Sequence, residues 1–133
     1  MYAGSGNDII IYDPSDIFRV DGGTGTDTLK LAASGETLNL TTFNNTAYYG
    51  LYTGIEIIDL TGNGTNSLIL NVNDVLNLSD TSDRLTVDGN TGDSVSKGSG
   101  WTQGAADGSY DTYTSTDITN DAELYIDSDI TVT

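Results

Sequence analysis

The chain has 133 residues and a formal net charge of -16, with 20 acidic side chains, 4 basic ones, and neither cysteine nor histidine. That length is one ordinary domain, 1-133, with a single core, while the missing residue types exclude zinc and haem sites of the usual kinds, thiol nucleophiles and any Ser-His-Asp arrangement. The bases Arg19, Lys30, Arg84 and Lys97 are scattered, which argues against nucleic acid and anionic membranes as partners, and no apolar run is long enough for membrane insertion.

Of the 20 acids only Glu36, Glu56 and Glu123 are glutamate. Aspartate holds its carboxylate close to the main chain, which suits turns and oxygen-lined calcium sites. Leu, Ile, Val and Phe number 31 of 133, only just above the ~20% level at which charged chains stay disordered. A compact body with this much like charge therefore needs strong packing or bound cations.

The first predicted strand, 8-12, grows out of AGSGNDIII at residues 3 to 11, and the second, 27-32, out of GGTGTDTLK at 22 to 30. The two stretches align position for position, so the chain begins inside a repeat and a segment of a longer protein is expected. The pattern is G-G-x-G-x-D-x-U-x, with U a large apolar residue and Ala3 in place of the first glycine. Copies 19 residues apart are close to two nine-residue units, which stacks them on one side of a parallel β-roll. Glycine permits positive φ and inward-turned carbonyls, and Ile10 and Leu29 then point into the core. Asp8 and Asp27 close the resulting cage of oxygens from adjacent layers. The plainer alternative is a pair of glycine-rich hairpin turns.

This pattern resembles the RTX (repeats-in-toxin) modules of bacterial proteins exported by type I secretion. The resemblance implies a calcium ion between the loops Ala3 to Asp8 and Gly22 to Asp27, held by both carboxylates and by the carbonyls of Gly4, Gly6, Gly23 and Gly25, with Ser5 and Thr24 as substitutes. The stretch IYDPSDIFRV between the copies departs from the family pattern. There Asp13 is placed to cap a helical turn, with Pro14 first and Asp16 third.

Further strands are predicted at 36-41, 55-60, 66-71, 83-88, 93-97, 109-115 and 122-132. One short helix is predicted over NVNDVLNL, capped by Asn71 or Asn73. GNGTNSLIL at 62 to 70 is a degenerate copy with Asn66 at the carboxylate position, read as a structural turn because a neutral amide is the weaker ligand. Asp88 and Asp93 in DGNTGD read as acidic turn residues. YDTYTS and AELYIDSDITVT form a terminal hairpin or sheet edge that caps the preceding turns.

The expected fold is all-β: RTX-type parallel β-roll turns over 1-31, continuing over 32-133 into a β-solenoid or β-sandwich-like domain with a terminal antiparallel hairpin. GIEIIDLTG, NDVLNLSD and DRLTVDG also resemble the β-rich domain that follows RTX repeats in very large adhesins. The implied function is a calcium-binding, non-catalytic structural module of a secreted or bacterial cell-surface protein. Its expected partners are calcium ions (Ca2+) and neighbouring domains of a longer chain, and it is expected to be a monomer. The alternative is a carbohydrate-binding module that stacks a cell-surface glycan on Tyr49, Tyr52 and Trp101.

Overall fold

The computed structural model describes residues 1-15, 19-44, 51-79, 82-117, 119 and 121-133. Within them the chain is built of short strands, with one 3-10 turn at Leu40–Asn44 and one α-helix, α1, at Val72–Leu78. The first layer supplies β1 (Tyr2–Ser5) and β2 (Ile9–Ile11), and the second supplies β3 (Val20–Thr24), β4 (Thr28–Lys30) and β5 (Thr37–Asn39). The third repeats that circuit with β6 (Tyr52–Thr53), β7 (Ile57–Asp59) and β8 (Ser67–Ile69). In the fourth, α1 precedes β9 (Arg84–Asp88) and β10 (Ser94–Ser96). A hairpin of β11 (Trp101–Gln103) and β12 (Tyr110–Ser115) leads to the last layer, β13 (Glu123–Asp127) and β14 (Thr131–Val132).

These strands form three sheets, ordered β1-β3-β6, β11-β12-β13-β9-β7-β4-β2 and β14-β10-β8-β5. All pairs are parallel except β11 with β12 and β12 with β13. The terminal hairpin thus lies inside the largest sheet, since β13 also pairs in parallel with β9.

Alternation along each strand turns one residue in two toward the interior. Register then aligns those residues in columns. Ile10, Leu29, Ile58, Val87 and Ile126 form one across the largest sheet, and Leu38, Leu68, Val95 and Val132 form another. Leu29, Leu38, Ile58, Leu68, Val87, Val95 and Ile126 are completely buried, and each such side chain contributes about 1.5 to 3 kcal/mol. A one-residue slip in any strand would turn its whole column to solvent, so these columns fix the register that positions the loops.

Helix α1 begins where the sequence places it. Asn71 Oδ1 accepts from the amides of Asn73 (2.9 Å) and Asp74 (3.2 Å), and Asp74 Oδ2 accepts from the Asn71 amide at 2.8 Å. This reciprocal capping box selects Asn71 over Asn73 as the cap. Asp13 accepts from the Ser15 amide at 2.8 Å, as a turn-initiating aspartate does, while Asp16 lies outside the described residues. The predicted strand 122-132 is two strands, because a turn in which Asp127 Oδ1 accepts from the Asp129 amide at 3.0 Å separates β13 from β14. No helix among the described residues is long and apolar enough to cross a membrane.

Candidate cation-binding corner

The two glycine loops join β1 to β2 and β3 to β4, and they stack in the register expected from their spacing. Gly4 faces Gly23, Ser5 faces Thr24, and Ile10 faces Leu29. Gly4, Gly6, Gly23 and Gly25 have φ of 120°, 112°, 99° and 138°, a region that L side chains rarely enter. A second reason for glycine is contact between layers. A methyl group on Gly23 would overlap the carbonyl oxygen of Gly4, and one on Gly25 would overlap that of Gly6.

Side-chain acceptors then tie each layer to the one before. Asp27 Oδ1 accepts from the Asp8 amide at 2.8 Å, and a Glu56 carboxylate oxygen accepts from the Asp27 amide at 2.9 Å. Asn7 Oδ1 accepts from the Thr26 amide at 3.0 Å, and the Gly6 amide donates to the Thr24 carbonyl at 2.8 Å. Asp8 and Asp27 are therefore brought together, as are Gly4 with Gly23 and Gly6 with Gly25.

Three buried side-chain oxygens lack a hydrogen-bond partner among the described residues: Asp8 Oδ2, Asp27 Oδ2 and Thr53 Oγ1. All belong to the same corner in three successive layers, because Thr53 pairs with Asp21 just ahead of the Gly22 loop. Asp27 has no solvent exposure. A carboxylate oxygen shut away from water without a donor is strongly unfavourable, and the usual relief is a hydrogen bond, an ion pair or a bound cation. A hard divalent cation fits the donors present, namely carboxylates and glycine carbonyls. No group of three or more acidic side chains suited to a metal occurs among the described residues. Any ion at this corner draws most of its shell from the backbone.

A second corner, between the largest sheet and the four-stranded one, uses the same device with a different outcome. Asn66 Oδ1 accepts from the Glu36 amide at 2.9 Å, and Asp93 Oδ1 from the Asn66 amide at 2.8 Å. Here the remaining polar atoms are satisfied as well. Asn66 Nδ2 donates to the Leu60 carbonyl at 3.1 Å, and Asp93 Oδ2 accepts from the Asn90 amide at 2.7 Å. Asn66 is thus a structural turn residue.

Thr53, Gly54 and Glu56 carry no glycine repeat, and reading the motif alone misses them. Their signal is subtler: Glu56 precedes Ile58 by two residues, as Asp8 precedes Ile10 and Asp27 precedes Leu29. An acid two positions before a core aliphatic marks this corner in each of the three layers.

Elsewhere charge is handled locally. Lys30 bonds Asp59 at 2.5 Å, Arg84 bonds Glu123 at 2.6 Å, and Arg19 reaches Asp21 at 3.4 Å. Burial pushes the Asp59 carboxyl up, but hydrogen bonds from Lys30 and Thr61 outweigh it and hold the group below its ordinary range. Tyr110 donates to Asp88 at 2.6 Å. That bond, together with burial, pushes the phenol up to about 12.

Of the aromatic residues suggested for a sugar, Tyr52 and Trp101 lie among the described residues. Tyr52 is buried in the core, so it offers no free ring face. Trp101 is half-buried against the core and donates its indole N-H to the Lys97 carbonyl at 2.9 Å. Tyr49 lies outside the described residues. Comparison with protein-family models, with curated proteins and with solved structures found no match for the chain.

Proposed function

We propose that the chain is a calcium-binding, calcium-stabilised and non-catalytic structural module, with RTX-like loops opening a β-solenoid. One observation carries this reading: Asp8 Oδ2 and Asp27 Oδ2 are both buried without a partner in stacked glycine loops. In the absence of a cation, two carboxylates so placed repel each other and oppose folding. With it they become ligands alongside the carbonyls of Gly4, Gly6, Gly23 and Gly25. The circuit of strands through three sheets, repeated layer by layer, supports the solenoid form of the fold.

In this reading the module belongs to a secreted or cell-surface protein of the large adhesin type, works as a monomeric spacer between neighbouring domains, and folds when it meets extracellular calcium. Carbohydrate binding is the lesser reading, since the burial of Tyr52 speaks against a ring-stacking site. Circular dichroism melts in EGTA and in millimolar calcium test the proposal. Calcium at a hundredfold above Kd adds about 2.7 kcal/mol, which is a shift of several degrees for a domain of this size. Coincident curves would defeat it.

A further inference from the structure

Among the described residues the exposed large hydrophobic side chains are Met1, Tyr2, Ile9 and Ile11, and all four belong to the first layer. One layer deeper the same outward positions are polar, with Asp21 beside Tyr2, Thr28 beside Ile9 and Lys30 beside Ile11. Ile9 and Ile11, 69% and 54% exposed, also lie on a sheet edge, because β2 ends the largest sheet. The Asp8 carbonyl accepts from the Thr28 amide and the Tyr12 amide donates to the Lys30 carbonyl. Alternate residues therefore bond β4, and the amides and carbonyls of Ile9 and Ile11 point the other way. Such an edge is a template for a further strand.

The residues of this edge select its occupant. Strand β2 is Ile-Ile-Ile, which reads the same in both directions, so a two-fold axis at Ile10 pairs Ile9 of each copy with Ile11 of the other. In an antiparallel ladder, pairs that exchange both of their hydrogen bonds alternate with pairs that exchange none. Ile9 with Ile11 is then the bonded pair, and it consumes all the outward amides and carbonyls of those two residues. Ile10 meets Ile10 on the inward side, where it extends the column of Leu29, Ile58, Val87 and Ile126. The flanks agree as well. Asn7 falls opposite Asp13, so each exposed Asp13 carboxylate faces an amide rather than a like charge. Edge strand β5, by contrast, turns Thr37 and Asn39 outward.

We propose that the first layer is an interface between two copies of this chain, joined by antiparallel pairing of β2 with β2 of the second copy about a two-fold axis at Ile10. This contact is independent of the calcium reading above: a module that folds as a monomeric spacer meets its second copy only through its first layer. Two chains of charge -16 repel each other, whereas the contact itself is made of apolar side chains and backbone. Salt therefore strengthens it by screening that repulsion, the reverse of its effect on a basic partner at the same edge.

Sedimentation equilibrium of the full chain in millimolar calcium, with folding checked by circular dichroism, tests the contact. The mean mass is expected to climb from one chain toward two as concentration rises, and to climb further at higher salt. Ile11→Lys copies the residue one layer deeper and puts a charge on the edge, so it should weaken association at least about tenfold and leave the melting curve unchanged. Register has its own test, since the chain has no cysteine. Under mild oxidation a mixture of Ile9→Cys and Ile11→Cys chains should form the mixed disulfide well ahead of either variant alone, because a bonded antiparallel pair brings Cα atoms to about 5.5 Å, within disulfide reach. A single-chain mass at every concentration, growth beyond two chains, association untouched by Ile11→Lys, or equal cross-linking of each variant with itself would overturn the proposal.

Discussion

The two corners of this molecule use one device to opposite ends. At the Glu36, Asn66 and Asp93 corner, an amide or carboxylate from each layer accepts from the backbone of the layer before, and the second polar atom of Asn66 and of Asp93 finds a partner of its own. At the Asp8, Asp27 and Glu56 corner the same inter-layer bonds form, yet Asp8 Oδ2 and Asp27 Oδ2 are left over. The difference lies in the glycines. Loops with φ near 100° to 140° bring carbonyl oxygens between the layers, so this corner holds acceptors in excess of donors. One corner satisfies its side-chain oxygens within the protein, and the other leaves two carboxylate oxygens without a partner among the described residues.

The comparison breaks most sharply at Asp93. Asp93→Ala leaves the buried Asn66 amide and the part-buried Asn90 amide without their acceptors, a loss of about 1 to 3 kcal/mol at Asn66 and less at Asn90. Chemical denaturation is expected to show that loss equally in calcium and in EGTA, because the self-sufficient corner owes nothing to the ion. A calcium-dependent loss would mean that the corners are not independent.

Asp27→Asn is expected to act in opposite directions with and without the ion. The amide keeps an acceptor for the Asp8 amide and offers a donor where Oδ2 now has none, which copies the arrangement at Asn66. In EGTA the variant should melt at or above the parent temperature. In millimolar calcium it should forfeit most of the parent's gain, about 2.7 kcal/mol at a hundredfold over Kd. A variant less stable than the parent in EGTA would show that the Asp27 carboxylate is already satisfied.

The smallest expected effects are of pH, away from both corners. The Tyr110 phenol is raised from 10.0 to about 12 by its bond to Asp88 and by burial, so its contribution is full below 10 and fades as pH rises toward 12. Asp59 is held below 3.8, so its contribution is present above that value and fades as acid protonates the folded form. Melting temperatures of Tyr110→Phe and Asp59→Asn should therefore flatten the alkaline and acid limbs respectively, with no change in the calcium response.

Much of this was legible because short-range chemistry decides it. Paired glycines and a following aspartate announced the stacked loops, alternation located β2, β4, β5 and β7 to β10, and the asparagines at 71 and 73 announced a capped helix, with the choice of Asn71 decided by its bond from Asp74 in the fold. What the residues do not carry locally is the circuit through three sheets. β1 is YAGS and β3 is VDGGT, stretches whose glycines weaken any strand signal, and β6 is two residues long. Each is held in place by the neighbouring layer rather than by its own propensity. Thr53 and Glu56 escaped notice for the same reason: their role exists only once Gly54 lies against Gly22.

The unequal length of the layers has a further consequence. Partners across the largest sheet are 19 residues apart at Ile9 and Thr28, 29 apart at Thr28 and Ile57, and 39 apart at Arg84 and Glu123. The aliphatic columns hold register while the connections vary freely, and doubling a flexible connection costs only about 0.6 kcal/mol in closure entropy. The longest layer already carries an insertion, the β11 and β12 ribbon, and a methyl group added at Gly108 in its bend would meet nothing within 4 Å. The architecture thus works as a rack for foreign loops, and the bend between β11 and β12 is the place where an inserted peptide could be displayed without the core registering its presence.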